Sequence, residues 1–488
     1  MNVLKKFHMP SASVEGSAPS CSEGDAESRE HANGMPLMDN FDAVISIIED
    51  YSKKKGVKFE AYLFNSKVLK MESEESKISN YTLAETNGFN IKLLDKKKTS
   101  FSYCLGFEEQ KITDTLEVAF SLLKFMDENE HFDFAEKDES LNDPEFPEKL
   151  GVYSKDHDSI SVDKKKSLLT EMEETAYSYD KKIYKVDKPS YSETLIHKRL
   201  RNSKGVDISS KKTFYEIFLS VASKDGNDAG SGFDFDFSHN FDSLKFKKTA
   251  MNAAKKGVDQ LGAKTVSSGN YDIVFDNYAS SELLGILKQS FYADNVFKKK
   301  SLLENKTGKK VFSDKLDIAD DGLLYGGAST DIFDGEGVKM QKKDLCAAGI
   351  INSYLYDIEY ANRFGVKSTG NSVSRSFTVP PSVGSSNFFI KNGNTGLIDI
   401  IGSLKDGLYI NELMGLHTAK PYTGEFSLGA SGFYVKNGKL DFPVKGIVLS
   451  GNLMELFNGI VTIANDLRFF GSTGSPSILF KKVQVSGK

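Results

Sequence analysis

Few of the residues that usually carry chemistry fall at useful spacings in this 488-residue chain. Its histidines, His8, His31, His131, His157, His197, His239 and His417, include no pair at i, i+3 or i+4, so no helix face offers two imidazoles to one metal ion. Cys346, in DLCAAGIINSYL, lacks a basic neighbour that would lower its pKa; it reads as a small buried side chain on a strand, not as a nucleophile. The carboxylates Asp317, Asp320, Asp321, Asp331, Asp334 and Glu336 crowd one stretch, yet their spacing departs from the D-x-[DN]-x-[DN]-G-x5-E loop that wraps calcium. Gly322, Gly326, Gly327, Gly335 and Gly337 lack a P-loop lysine and the G-x-G-x-x-G spacing, and they read as turns.

The most specifically patterned polar segment is GLHTAKPYTGEFS, residues 415–427. His417 can orient a substrate peptide or an interface carbonyl through one ring nitrogen, or it can bond to its own turn. Thr423, Gly424, Glu425 and Ser427 carry the same two readings as substrate-binding or interface residues. No catalytic or metal-ligating side chain is assigned.

These residues need elements to position them. From Phe41, the apolar residues Val44, Ile45, Ile48 and Tyr51 recur at helical spacing, and Gly56 follows a lysine-rich last turn as a stop. Strand-like stretches follow near 59–64, 68–72, 91–94 and 100–106, then a helix over 112–126. The grammar repeats: a helix with Leu168, Leu169, Met172 and Ala176, strands near 183–186, 194–200, 214–222 and 231–237, and a helix over 244–261. Phe233, Phe235 and Phe237 alternate with Asp234 and Asp236, as on a half-buried strand. Two similar helix-strand units, 38–126 and 164–262, are therefore expected in an N-terminal α/β domain over 38–268, with the charged, proline-bearing 127–163 as an exposed connector. Beyond Gly269, short apolar stretches between glycine turns predict a mainly-β, sandwich- or barrel-like domain over 269–488, giving an α+β chain. Asn437-Gly438 marks a two-residue hairpin turn, and Asn452 caps a short helix with Leu453, Leu456 and Phe457.

Composition narrows the function classes. Hydrophobic residues make up 39% and charged residues 27%, as in a globular protein, and the net charge of -5 leaves no general footprint for nucleic acid. No run approaches the roughly 18 apolar residues that span a bilayer, so no membrane partner is expected. Cys21, Cys104 and Cys346 are few, odd in number and widely spaced, which fits a reducing, cytoplasmic compartment. Residues 1–37, rich in Ser, Glu, Gly and Ala, are expected to form a disordered tail.

Several long stretches resemble the TldD/PmbA family, and specifically its PmbA/TldE branch. They are SGNYDIVFDNYASSELLGIL (268–287), DDGLLYGGASTDIFDGEGV (320–338), GVKSTGN (365–371), PPSVGSSNFFI (380–390) and the run from Asn411 through PSILFKKVQVSG. TldD-type relatives are zinc peptidases whose metal is held by an HExxxH helix and a later cysteine. Two histidines on one helix face share an ion there, and the intervening glutamate activates its water. The matching segment here, NYASSELLGILKQS at 277–290, has no histidine, and no cysteine follows Cys346. Glu282 is its one carboxylate and reads as a solvated or helix-start side chain. The resemblance therefore implies a subunit of a cytoplasmic TldD/TldE-type metallopeptidase, active in proteolysis and peptide maturation. It implies no cofactor in this chain, zinc on a TldD-like partner subunit, and extended or unfolded peptides as ligands. The alternatives are an autonomous metallopeptidase with an unrecognised site, or a metal-free homodimeric peptide-binding scaffold.

Overall fold

A computed structural model describes residues 40–141, 143 and 145–488; the tail expected over 1–37 lies outside them. Helix α1 (Phe41–Lys55) buries Val44, Ile45 and Ile48, carries Lys53, Lys54 and Lys55 in its last turn, and stops at Gly56, whose φ of 69° is the left-handed cap. Strands β1 (Lys58–Glu74), β2 (Lys77–Asp95) and β3 (Lys98–Leu105) and helix α2 (Glu109–Leu122) follow. Then come α3 (Val162–Tyr179), capped by the Ser161 hydroxyl, β4 (Ile183–Asn202), β5 (Asp207–Asp225), β6 (Asp228–Ser238) and α4 (Phe246–Asp259). The six strands make one antiparallel sheet in the order β3-β2-β1-β4-β5-β6. Its middle is the pairing of β1 with β4, from Glu60 opposite Asn202 to Glu72 opposite Ser190.

Strand parity assigns the two faces of this sheet. Phe59, Ala61, Leu63, Leu69 and Met71 of β1 pack among the helices, whereas Tyr62 and Phe64 face the C-terminal domain, where Phe64 stacks on Phe377 with ring centroids 5.5 Å apart. Helix α4 lies so close to β6 that a Cβ added at Gly232 would sit 2.3 Å from Ala253 O and from Gly257 N, so only glycine fits there. The 127–163 segment is not the exposed connector its charges predict. It buries Phe134, Ala135, Leu141, Leu150 and Val152, the last three in a cluster with Leu200, Val206, Ile208 and Phe333. Its few apolar residues are aperiodic, so they give no strand or helix signal, but each is used.

The C-terminal half opens with β7 (Gly269–Phe275) and α5 (Asn277–Leu287) and continues with β8 (Ile318–Asp321), β9 (Lys342–Ala347), β10 (Phe388–Ile390), β11 (Asp406–Met414), β12 (Glu425–Lys436), β13 (Lys439–Asn452), β14 (Ile460–Ile463), β15 (Arg468–Phe470), β16 (Thr473–Ser475) and β17 (Ile478–Ser486). One sheet runs β13-β12-β11-β7-β17-β14, and β13 also pairs with β17, which closes a barrel. A second sheet holds β9-β8-β10-β16-β15, extended by Ile350–Ile351. Asn437 and Gly438, both at positive φ, turn the β12–β13 hairpin, and the Asn452 side chain accepts the Met454 N–H to cap Leu453–Asn458. The chain is α+β, with the mainly-β C-terminal domain that its turn pattern predicts.

Candidate functional site

The 320–338 loop docks the C-terminal domain on the open face of the N-terminal sheet, and its carboxylates explain how. Asp331 lies 2.9 Å from the Lys198 ammonium of β4 and accepts the Ser210 hydroxyl at 3.0 Å. Burial pushes the Asp331 carboxyl up, but Lys198 and Lys212 together hold it below the usual range. Lys212 of β5 donates to the carbonyls of Ala328 and Thr330, at 3.0 and 2.9 Å, and burial lowers its pKa to about 8. His239 sets one ring nitrogen against Thr213 O and the other 3.1 Å from Gly327 O; burial and Lys212 drop its pKa to about 4. The remaining carboxylates go to separate partners. Asp320 binds Lys343, Asn371 and Ser386, Asp334 accepts the amides of Glu336, Val338 and Ser372, and Asp317 accepts the Ala348 amide. Each is spent on holding loop to sheet or loop to loop.

Above this junction the sheet and the C-terminal loops enclose a cavity of about 430 Å³. Its sheet wall is set by register. Lys70 of β1 is opposite Ser192 of β4, and Ser192 is opposite Glu216 of β5, so the three form one cross-strand row. Phe237 of β6 is opposite Glu216, while Phe214 and Phe218 lie two residues to either side of it. The other wall carries Asn371, Ser372, Ser374, Ser385 and Ser386. Burial raises the Glu216 carboxyl to about 7, with Lys70 the charge that opposes the rise. Sequence reasoning did not find this row. Its one local signal is Phe214-Glu216-Phe218, a carboxylate on the aromatic face of a strand.

Helix α5, the counterpart of the segment expected to bear metal ligands in TldD-type proteins, packs against β7 and β11 and against β15 and β16. The Asp276 carboxylate accepts the Ala279 N–H at 2.7 Å to cap it, and its own pKa rises to about 7 through burial. Tyr278, Ala279, Ser280, Ser281, Leu283, Leu284 and Leu287 are buried. Glu282 corrects an expectation: it is a half-buried carboxylate one turn into the helix, bonded to the Tyr278 hydroxyl, and not a solvated one. Cys346 is buried on β9, and burial lifts its thiol to about 12. Among the described residues, no group of three or more His, Cys, Asp or Glu side chains is disposed to hold a metal ion.

The 415–427 segment forms the turn between β11 and β12 at one end of the barrel. His417 is exposed on a short 3-10 turn, Leu416–Thr418. Thr423, Gly424 and Glu425 come together: Lys420 pairs with Glu425 at 2.9 Å, and the Thr423 hydroxyl donates to the same carboxylate at 3.3 Å. Gly424, at φ 79°, accepts the Leu453 amide through its carbonyl, and Asn452 donates to Thr423 O. Ser427, exposed on β12, accepts the Thr418 hydroxyl through its carbonyl. None of the five lines the cavity.

An antiparallel sheet with helices on one face, joined across a cavity to a closed barrel, defines a two-part α+β architecture. Residues 155–261 match the PmbA/TldA metallopeptidase central domain and residues 268–487 match the PmbA/TldA metallopeptidase C-terminal domain. The chain belongs to the PmbA/TldD family of metallopeptidase-like proteins. A metalloprotease PmbA homologue from Buchnera aphidicola (Acyrthosiphon pisum) is 28% identical over 66% of this chain and 70% of its own length. A Thermotoga maritima crystal structure, described as a proposed modulator of a DNA gyrase, superimposes with a TM-score of 0.84 at 25% identity over 92% of this chain and all of that one. TldE from Thermococcus kodakarensis shares the fold, with a TM-score of 0.78 at 20% identity over 91% of this chain and all of that one.

Proposed function

We propose that this chain is the PmbA/TldE-like subunit of a cytoplasmic TldD/TldE-type zinc metallopeptidase, contributing peptide-binding surface and no zinc ligand of its own. The observation that carries the reading is α5. The helix that matches the family's ligand-bearing segment offers a single carboxylate, Glu282, among amide, hydroxyl and aliphatic side chains, with neither histidine nor cysteine. Zinc does not fit this donor set, so no catalytic step is assigned to this chain. The metal and the water it activates belong to a TldD-like partner, and this chain encloses and presents extended peptides to that site. His417, Thr423, Glu425 and Ser427 of the 415–427 turn are the exposed polar contacts proposed for partner or peptide, with the buried Gly424 shaping the turn that presents them.

Co-expression with a TldD-type subunit tests the assembly. A stable heteromer with peptidase activity that neither chain shows alone is the expected result. Chelator-sensitive peptidase activity of this chain by itself would overturn the reading.

A further inference from the structure

The row Lys70, Ser192, Glu216 on the cavity wall has no structural work to do. Several other charged groups at the sheet junction are paired, as Lys198 is to Asp331 and Lys343 to Asp320. Among the described residues, neither the Lys70 nor the Glu216 side chain makes a hydrogen bond or ion pair, with each other or with a third group. They stand on the first and third strands of the row, two strand spacings or about 10 Å apart.

The surroundings of Glu216 sharpen the point. Phe214 stacks on Phe237 with ring centroids 5.6 Å apart, and Phe218 stacks on Phe233 at 6.2 Å, so the carboxylate is framed by phenyl rings. Ring faces carry negative potential, which disfavours a second anion and favours a cation. A lone carboxylate in such a frame weakens the fold, and local rules of this kind are broken where a ligand restores the balance. The missing ligand has a positive group at Glu216 and a negative group near Lys70, with hydroxyls of Ser192 and the facing loop between.

We propose that this wall is a subsite for short zwitterionic peptides: Glu216 takes the free α-ammonium and Lys70 takes the free carboxylate of a peptide lying across β1, β4 and β5. Extended chain advances about 3.3–3.6 Å per residue, so a tripeptide matches the roughly 10 Å between the first and third strands of the row. A volume of about 430 Å³ lies in the range of small-ligand sites. Free short peptides are what a peptidase chamber releases, so this assignment deepens the proposed function and rests on it for biological meaning. The site retains product-length peptides by both ends, whatever their side chains.

Calorimetric titration of the isolated chain with trialanine, N-acetyl-trialanine and trialanine amide tests the assignment without a partner subunit. Trialanine is expected to bind, and blocking either end is expected to weaken binding at least tenfold. In Glu216→Gln the free and acetylated peptides should bind alike; in Lys70→Met the free and amidated ones should. No binding of trialanine, or equal affinity for the three peptides, overturns the proposal. The blocked peptides probe the unaltered protein, so a folding defect in either variant does not mask the answer. Failure to assemble with a TldD-type subunit, with this binding intact, would remove the subunit reading and leave the subsite standing.

Discussion

Lys198 of β4 and Asp331 of the 320–338 loop form a largely buried ion pair, 2.9 Å from ammonium to carboxylate, across the junction of the sheet and the C-terminal domain. Lys198 also lies over the Phe333 ring, 4.2 Å from its centroid, so its position is fixed by charge and by packing.

Removing one member of that pair strands the other charge. Lys198→Met is expected to cost about 3–5 kcal/mol of stability, because Asp331 is left buried without its main counterion. Adding Asp331→Asn should recover a large part of the loss. Denaturant unfolding of the single and double variants checks this; an equal loss in both would mean the pair is not what holds the junction.

His239 sets a pH dependence whose sign follows from its burial. Its folded pKa is about 4, against about 6.5 in an unfolded chain. Above pH 6.5 both states are neutral; below it the unfolded chain takes up a proton that the fold resists, so stability falls as pH drops from about 6.5 toward 4. The melting temperature of the wild type should therefore drop more steeply over that window than that of His239→Gln, and parallel profiles would refute the assignment.

Glu216 acts in the opposite sense. Its folded pKa is raised from 4.5 to about 7, so its destabilising contribution grows as pH rises through that interval and is complete above it. Glu216→Gln should raise the melting temperature at pH 8 and leave it nearly unchanged at pH 4. A loss of stability at pH 8 would show that the carboxylate has a structural partner.

What the sequence made legible was local. Gly56 after a lysine-rich turn, Asn437-Gly438 between apolar runs and Asn452 before Leu453 each signal a stop, a turn or a cap through neighbours within four residues, and each appears in the fold as read. Strand lengths were not legible. β1, β2, β4 and β5 run 17 to 20 residues, where the apolar pattern marks only fragments, because Lys70, Glu72, Ser190, Ser192 and Glu216 face the cavity and interrupt it. The Lys70–Ser192–Glu216 row depends on the register of three strands distant in sequence, which no spacing rule encodes. For the carboxylates of 317–336, the departure of their spacing from a calcium loop was readable, but Lys198 and Lys343, which hold Asp331 and Asp320, had to be supplied by the fold.

Gly232 tests the close seating of α4 on β6. A methyl group there meets backbone atoms of α4 at 2.3 Å, so Gly232→Ala should cost about 1–3 kcal/mol by forcing helix and strand apart. A neutral effect on thermal stability would show that the helix shifts freely.

His417 is exposed and lies outside the cavity, so His417→Ala should change the stability of the isolated chain by no more than about 0.5 kcal/mol. If the 415–427 turn contacts partner or peptide, the same change lowers turnover of the mixed complex. Full turnover would remove His417 from the site.

The proposed function requires that this chain supply no zinc ligand to a TldD/TldE-type peptidase, and elemental analysis of the purified chain tests that most directly. After mild chelation, the chain alone is expected to hold far less than one zinc per molecule, while its complex with a TldD-type subunit retains about one per heterodimer. About one tightly held zinc per molecule of the isolated chain would contradict the account.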